Sequence, residues 1–224
     1  MNPILIIVFD GLQPSQVTHE LMPNLFSWVQ GGVTFSKNHP VFPSVTRINA
    51  ATMVTGASPG AHGLAANNMV FREHDPYTAI PVLQPQLVEI AAESGAILKA
   101  ATLADILSLE GLEYTAVVSG TSGNAFVHNP SAGTNSGVII HPEFTLPSEL
   151  NSDLAKRFGS WPSETLPNTP RIAHATTILT EYILPERNPK VALWWSSEPD
   201  KSQHAYGVGS SESNRAVGEA DFQF

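Results

Sequence analysis

No cysteine occurs anywhere in the 224 residues. That absence removes a disulfide scaffold, a thiolate metal site, an iron–sulfur cluster and a cysteine nucleophile from the functions open to the chain. It leaves the compartment open, since secreted proteins also exist without cysteine. Basic residues are scarce as well: 11 Lys and Arg stand against 20 Asp and Glu, a formal net charge of -9. Such a balance argues against binding nucleic acid by phosphate neutralisation. Long apolar runs are missing. The run Ile4 to Phe9 is far below the roughly 18 residues that a spanning helix needs. Neither a basic region before it nor a small-residue cleavage site after it marks a secretory leader. No membrane partner is therefore expected, and a cytoplasmic location is the default expectation.

What is present fits a folded protein. Hydrophobic residues make up 42% and charged residues 14%, a globular balance. The 18 prolines exceed the usual ~5% and predict some long irregular stretches. Ile4-Leu5-Ile6-Ile7-Val8-Phe9 does not alternate, which predicts a strand buried on both faces, as in a parallel sheet. Helices are predicted over Met22–Val29, Thr46–Thr55, Pro85–Glu93, Leu103–Glu110 and Ile172–Leu184. Further strands are predicted at Val33–Phe35, Tyr114–Ser119, Gly137–Ile140 and Val191–Trp195. Between Pro142 and Pro170 prolines recur among Ser, Thr and Asn. That stretch reads as an excursion from the sheet with little regular structure. Strands alternating with helices predict an α/β fold around a mostly parallel sheet.

Two predicted strands far apart in sequence each run out into an aspartate, Phe9-Asp10 and Trp195 through Asp200. Parallel strands share one carboxyl edge, where ligands bind, so Asp10 and Asp200 are expected to meet. An aspartate after a strand also caps turns and helices, and for either one alone the two readings are equal. Asp200 and His204 lie four residues apart, on one face of a helical turn and within reach of one cation. Oxygen and nitrogen donors without sulfur suit zinc or another divalent first-row metal. Thr46 opens a predicted helix, where free N–H groups favour an anion such as phosphate. Its hydroxyl serves there either as a cap or as a nucleophile whose pKa a metal lowers. His39, His128, His141 and His174 read as loop or surface residues.

Phe42-Pro43-Ser44-Val45-Thr46-Arg47-Ile48-Asn49, then Met53-Val54-Thr55-Gly56, Pro59, His62-Gly63 and Asn67, form one ordered set. Val8-Phe9-Asp10-Gly11 with Met22-Pro23-Asn24-Leu25, Val118 to Ala125, and Glu198-Pro199-Asp200 through His204 and Gly207 complete it. The set resembles the nucleotide pyrophosphatase/phosphodiesterase family (type I phosphodiesterases) of the alkaline phosphatase superfamily. That resemblance implies an alkaline-phosphatase-like α/β fold, a mostly parallel sheet flanked by helices. It implies hydrolysis of phosphodiester or pyrophosphate bonds through a phosphothreonine, with two divalent metal ions, most naturally Zn2+. Asp10 and Thr46 would bind one ion, with Thr46 as the nucleophile. Asp200 and His204 would bind the second, and Asn67 would hold a non-bridging phosphoryl oxygen of a small phosphodiester or nucleotide substrate. An acidic protein can still act on phosphates, because bound cations reverse the local field.

One part of the pattern is missing. The family completes its metal pair with an Asp-His-Gly segment and a later histidine, and after His204 this sequence has no histidine. Its only acids there are Glu212, Glu219 and Asp221. His74-Asp75 has the reverse order and sits in a proline-containing loop, so it is no replacement. The expectation is a single, incomplete catalytic domain over residues 1–224, apparently truncated at its C-terminus, with the excursion at about 142–170. Two alternatives stand beside it: phosphonoacetate-hydrolase-like or phosphomonoesterase activity in the same superfamily, or an inactive chain acting only as a binding protein.

Overall fold

The computed structural model describes residues 3–135 and 137–224. In chain order, β1 (Ile4–Phe9) leads to α1 (Pro23–Val29), α2 (Thr46–Thr55) and the short α3 (Pro59–His62). A small antiparallel ribbon of β2 (Asn68–Met69) and β3 (Ile80–Pro81) precedes α4 (Gln84–Ser94) and α5 (Leu103–Leu109). Then come β4 (Tyr114–Val118), α6 (Ser122–His128), β5 (Val138–His141), β6 (Phe144–Leu146) and α7 (Leu150–Phe158). The helix α8 (Thr169–Ile178) continues through a π-helical stretch, Leu179–Arg187, before β7 (Val191–Ser196), α9 (Asp200–Tyr206) and α10 (Ser211–Phe222).

The main sheet has the order β1-β7-β4-β5-β6. Its first four strands are parallel, and β6 runs antiparallel to β5. This is the α/β architecture that the alternating pattern predicts. Because successive side chains of a strand point to opposite faces, each strand feeds two cores. Ala116, Val118, Leu193 and Trp195 face a layer that includes Ala50, Val54, Leu87 and Phe126 from α2, α4 and α6. Val117, Ala192 and Trp194 face Leu154, Ile172, Ala175 and Ile183 from α7, α8 and the π-helical stretch. Residues of β4, β5 and β7 are buried throughout. A helix layer on both sides is the reason those strands read as unbroken apolar runs.

Four readings need correction. The first strand is not buried on both faces: it lies at the end of the sheet order, and Ile4 is 53% exposed. Val33–Phe35 forms no strand but an open connection, with Val33 81% exposed, because among the described residues no strand pairs with it. The stretch 142–170 holds β6 and α7, so it joins the sheet instead of leaving it. Its prolines mark boundaries: Pro142 turns the β5–β6 hairpin, and Pro170 opens α8. Finally, His128 and His141 are fully buried. His128 Nδ1 meets the Tyr114 hydroxyl at 3.3 Å, and His141 Nε2 lies 3.0 Å from the Gly120 carbonyl oxygen. His141 Nδ1 also accepts from the Glu143 N–H at 3.1 Å; apolar flanks with these few polar partners let both rings enter the core, a pairing that only the packing reveals.

The acids after His204 serve the fold. Asp221, buried, accepts from the backbone N–H groups of Asn24 at 2.9 Å and Leu25 at 2.8 Å. It thereby supplies the first turn of α1, whose own N-cap, Met22, has no side chain able to do so. Glu219 accepts from the Thr169 hydroxyl, and Glu212 from the Ser211 hydroxyl.

Candidate active site

The register of β1 on β7 pairs Phe9 with Ser196, so both strands end at the same edge. The backbone then ties the two aspartate segments together. Asp10 N–H donates to the Ser196 carbonyl at 3.1 Å, and Asp200 N–H donates to the Asp10 carbonyl at 2.9 Å. Between them stands Gly11, with φ at +76°. A Cβ there would lie 2.8 Å from the Asp200 Cα, so only glycine lets the strands' ends approach this closely. The meeting of Asp10 and Asp200 expected from the sequence is thus a backbone fact.

Thr46 is the first residue of α2, and Val45 stands at the cap position without a side-chain cap. The Thr46 hydroxyl is 3.2 Å from Asp10 Oδ2 and 3.4 Å from Oδ1, so it donates to the carboxylate and does not cap the helix. Asn49, one turn on, holds the approach segment: its Oδ1 accepts from Val41 N–H at 2.9 Å, and its Nδ2 donates to the Val45 carbonyl at 3.0 Å. Trp195 Nε1 donates to Asp10 Oδ2 at 3.2 Å. Burial, reinforced by the like charge of Asp200, raises the Asp10 carboxyl to a pKa of about 6 despite the hydrogen bonds from Trp195 and Thr46. Burial raises Asp200 also, opposed by the charges of His204 and Lys201.

On α9 the imidazole of His204 reaches Asp200 Oδ1 at 3.4 Å from its Nε2, with the His204 side chain 82% exposed. Asn67 lies just before β2, and its backbone carbonyl accepts from Val82 N–H at 2.9 Å and from Arg47 Nη1 at 3.4 Å. Its side-chain oxygen is buried without a partner. The structure therefore joins Asp10 with Thr46 and Asp200 with His204. Asn67 it links to the nucleophile segment through Arg47, with no hydrogen bond to Thr46 among the described residues.

Two contributors carry no role in the sequence reading. Trp195 orients Asp10, and the only hint of it is an aromatic residue at a strand end. Glu198 is buried and accepts from the backbone N–H groups of Asn168 at 2.8 Å and Ser202 at 3.0 Å, which fixes the start of α9. Its hint was the Glu-Pro-Asp spacing itself.

The donor chemistry, carboxylate and hydroxyl oxygen with imidazole nitrogen, suits a divalent first-row cation. Two carboxylates drawn together with raised pKa values also mark a place that a positive charge would relieve. Zinc in catalytic sites takes three protein ligands. Among the described residues no group of three or more His, Cys, Asp or Glu side chains is placed to hold a metal ion. The two pairs fit as parts of ligand sets.

The model of the type I phosphodiesterase/nucleotide pyrophosphatase family matches residues 4–222 of this chain. An uncharacterized pyrophosphatase/phosphodiesterase of Schizosaccharomyces pombe is 35% identical over 67 residues, 30% of this chain and 14% of the relative. An ectonucleotide pyrophosphatase/phosphodiesterase of Caenorhabditis elegans is 33% identical over 86 residues, 38% of this chain and 10% of the relative. Among solved structures, phosphonoacetate hydrolase from Sinorhizobium meliloti in complex with phosphonoacetate matches 99% of this chain and 52% of that one, at TM-score 0.70 and 18% identity. Murine ectonucleotide pyrophosphatase/phosphodiesterase 5, as an inactive variant in complex with AMP, matches 100% and 50%, at TM-score 0.65 and 16% identity. The chain thus spans about half the length of these solved structures.

Proposed function

The chain belongs to the type I phosphodiesterase/nucleotide pyrophosphatase family, and from that premise we propose that it contributes the nucleophile to hydrolysis of a phosphodiester or pyrophosphate bond. The observation that carries this reading is the Thr46 hydroxyl, set at the first residue of α2 and held by the Asp10 carboxylate at 3.2 Å. A threonine there has an acceptor for its proton and faces the unbonded N–H groups of a helix start, which favour a phosphoryl oxygen.

Thr46 Oγ attacks phosphorus in line, the bond to the leaving alcohol or nucleotide oxygen breaks, and a phosphothreonine forms. Water then cleaves that ester and restores the hydroxyl. Asn67 donates from its amide to a non-bridging oxygen, where negative charge gathers in the transition state. Asp10 and Thr46 would hold one divalent cation and Asp200 and His204 another, with zinc the fitting ion. Such cations, when bound, supply Lewis-acid stabilisation of the attacking and leaving oxygens.

Turnover of bis-p-nitrophenyl phosphate with added zinc tests the reading. Thr46→Ala is expected to lose at least about a thousandfold in kcat, the scale of removing a covalent nucleophile. Undiminished turnover in that variant discards the nucleophile assignment. Phosphonoacetate and p-nitrophenyl phosphate in the same assay separate the diester reading from phosphonate and monoester hydrolysis.

A further inference from the structure

We propose that Gln203 is a positioning residue for His204. Its amide, hydrogen-bonded to Gln16 in the turn that follows Asp10, holds the second turn of α9 and keeps the His204 imidazole against the Asp200 carboxylate. For its bearing on catalysis the inference rests on the roles of Asp200 and His204 given above.

The helix α9 has seven residues, Asp200–Tyr206, fewer than the roughly 12–15 at which an isolated helix becomes even marginally stable in water. It therefore depends on the rest of the fold. Three anchors hold its first turn: Asp200 N–H on the Asp10 carbonyl at 2.9 Å, Ser202 N–H on Glu198 at 3.0 Å, and Lys201 Nζ on Glu164 Oε1 at 2.5 Å. The second turn carries the imidazole and has far less support. His204, Ala205 and Tyr206 are all exposed, so packing holds them little. Among the described residues, one side-chain hydrogen bond ties that turn to another element. Gln203 Nε2 donates to Gln16 Oε1 at 3.2 Å.

The Gln16 end of this bond is fixed. Gln16 closes the 3-10 turn Pro14–Gln16 and is 6% exposed, and its Oε1 also accepts from Gln13 N–H at 2.9 Å. A backbone N–H can only donate, so it decides which end of the Gln16 amide faces it. The same oxygen then takes a donor from α9, which sets the Gln203 amide as well. The loop after Asp10 thus meets α9 twice, at the backbone contact of Gly11 with Asp200 and at the side chains of Gln16 and Gln203. Two points fix the rotation of a short helix about its axis, where one leaves it free. Asp200, Gln203 and His204 stand at i, i+3 and i+4, on one face. The contact of His204 Nε2 with Asp200 Oδ1 at 3.4 Å follows that rotation.

Nuclear magnetic resonance on the full chain without metal provides the test. Gln203→Met keeps the length of the side chain and removes its polar end. In that variant the Gly207 N–H, which donates to the Gln203 carbonyl at 2.8 Å, should exchange at least about tenfold faster, while the Ser202 N–H keeps its protection. At fixed pH, the His204 ring nitrogen signals should move toward those of free histidine. Gln16→Met should do the same, and the two changes together should add little to either alone. Unchanged His204 ring signals in a folded Gln203→Met protein overturn the proposal, whatever the Gly207 exchange shows. If that variant does not fold, Gln16→Met decides by the same signals. Fully additive effects of the two substitutions also contradict it. Zinc alone, titrated and followed at the His204 ring, should bind at least about tenfold more weakly in Gln203→Met, the scale of losing a group that orients a metal ligand. The zinc response of the Thr46 amide should stay as it was. Equal zinc affinity at His204 in the two proteins contradicts the positioning role. If zinc leaves the His204 ring signals of the unsubstituted chain untouched, the metal role of Asp200 and His204 fails, and the metal-free result still decides whether Gln203 positions the imidazole.

Discussion

Gly11 is the residue on which the meeting of the two aspartates depends. With φ at +76° and the Asp200 backbone 2.8 Å from any Cβ, a side chain at this position both strains its own backbone and pushes β1 and α9 apart. Gly11→Ala is expected to destabilise the protein by about 1–3 kcal/mol, read as a lowered denaturation midpoint. Titration acts on single residues too. Burial lowers His128 to a pKa of about 3 and His141 to about 4, so both rings enter the fold neutral. The stability they support is complete above the ordinary histidine value of 6.5 and is lost as pH falls through that value toward 4. His141→Gln should flatten the fall in melting temperature across that window. Asp10, raised from 3.8 to about 6, works in the opposite sense in the metal-free protein, because its extra proton favours the folded state as pH falls. A pH series of thermal melts on Asp10→Asn should therefore show a steeper acid loss.

Elements were legible where a periodic run had punctuation. The predicted helix Thr46–Thr55 has both ends as observed, because Gly56 closes it in the left-handed conformation. Unbroken apolar runs predict the strands β4 and β7. Val33–Phe35 misled because three β-formers imply a strand only if a neighbour supplies hydrogen bonds, and the sequence does not name neighbours. In 142–170 the prolines stand at element boundaries, which composition alone does not distinguish from an absence of elements. Glu198 shows how elements are joined at the site: one carboxylate serves Asn168 just before α8 and Ser202 within α9. Glu198→Gln keeps the shape but replaces one acceptor oxygen by a donor facing an N–H. It should cost on the order of 2 kcal/mol and loosen α9, seen as faster exchange of the Ser202 amide.

For the whole molecule, the site is distributed: β1, α2, the connection before β2, and α9 each bring one part. Among the described residues neither donor pair has a third His, Cys, Asp or Glu beside it, so modest metal affinity is expected. Calorimetric zinc titration should give binding far weaker than the nanomolar range, and chelator should leave the melting temperature nearly unchanged. Two tightly bound zinc ions with turnover would refute that expectation. Among the described residues no helix is long and apolar enough to cross a membrane. With a net charge of -9, the proposed phosphate-directed function needs local positive charge, which Arg47 and the start of α2 offer and which cations, if held, would increase.

The sequence by itself determined the α/β class, the helix start at Thr46 and the candidates Asp10, Thr46, Asn67, Asp200 and His204. Asn67 is a candidate through the family resemblance alone, while the others rest also on local periodicity, end signals and spacing, all of which are written along the chain. Only the tertiary structure decided that Thr46 donates to Asp10 instead of capping its helix. It also decided that Trp195 donates to Asp10, that Glu198 accepts from Asn168 and Ser202, that His128 and His141 belong to the core, and that Arg47 donates to the Asn67 backbone carbonyl. The reason is physical: hydrogen-bond partners and burial depend on which distant segments the sheet order brings together. For Asp10 and Asp200, that order sets a β1–β7 pair whose members lie almost the whole chain apart.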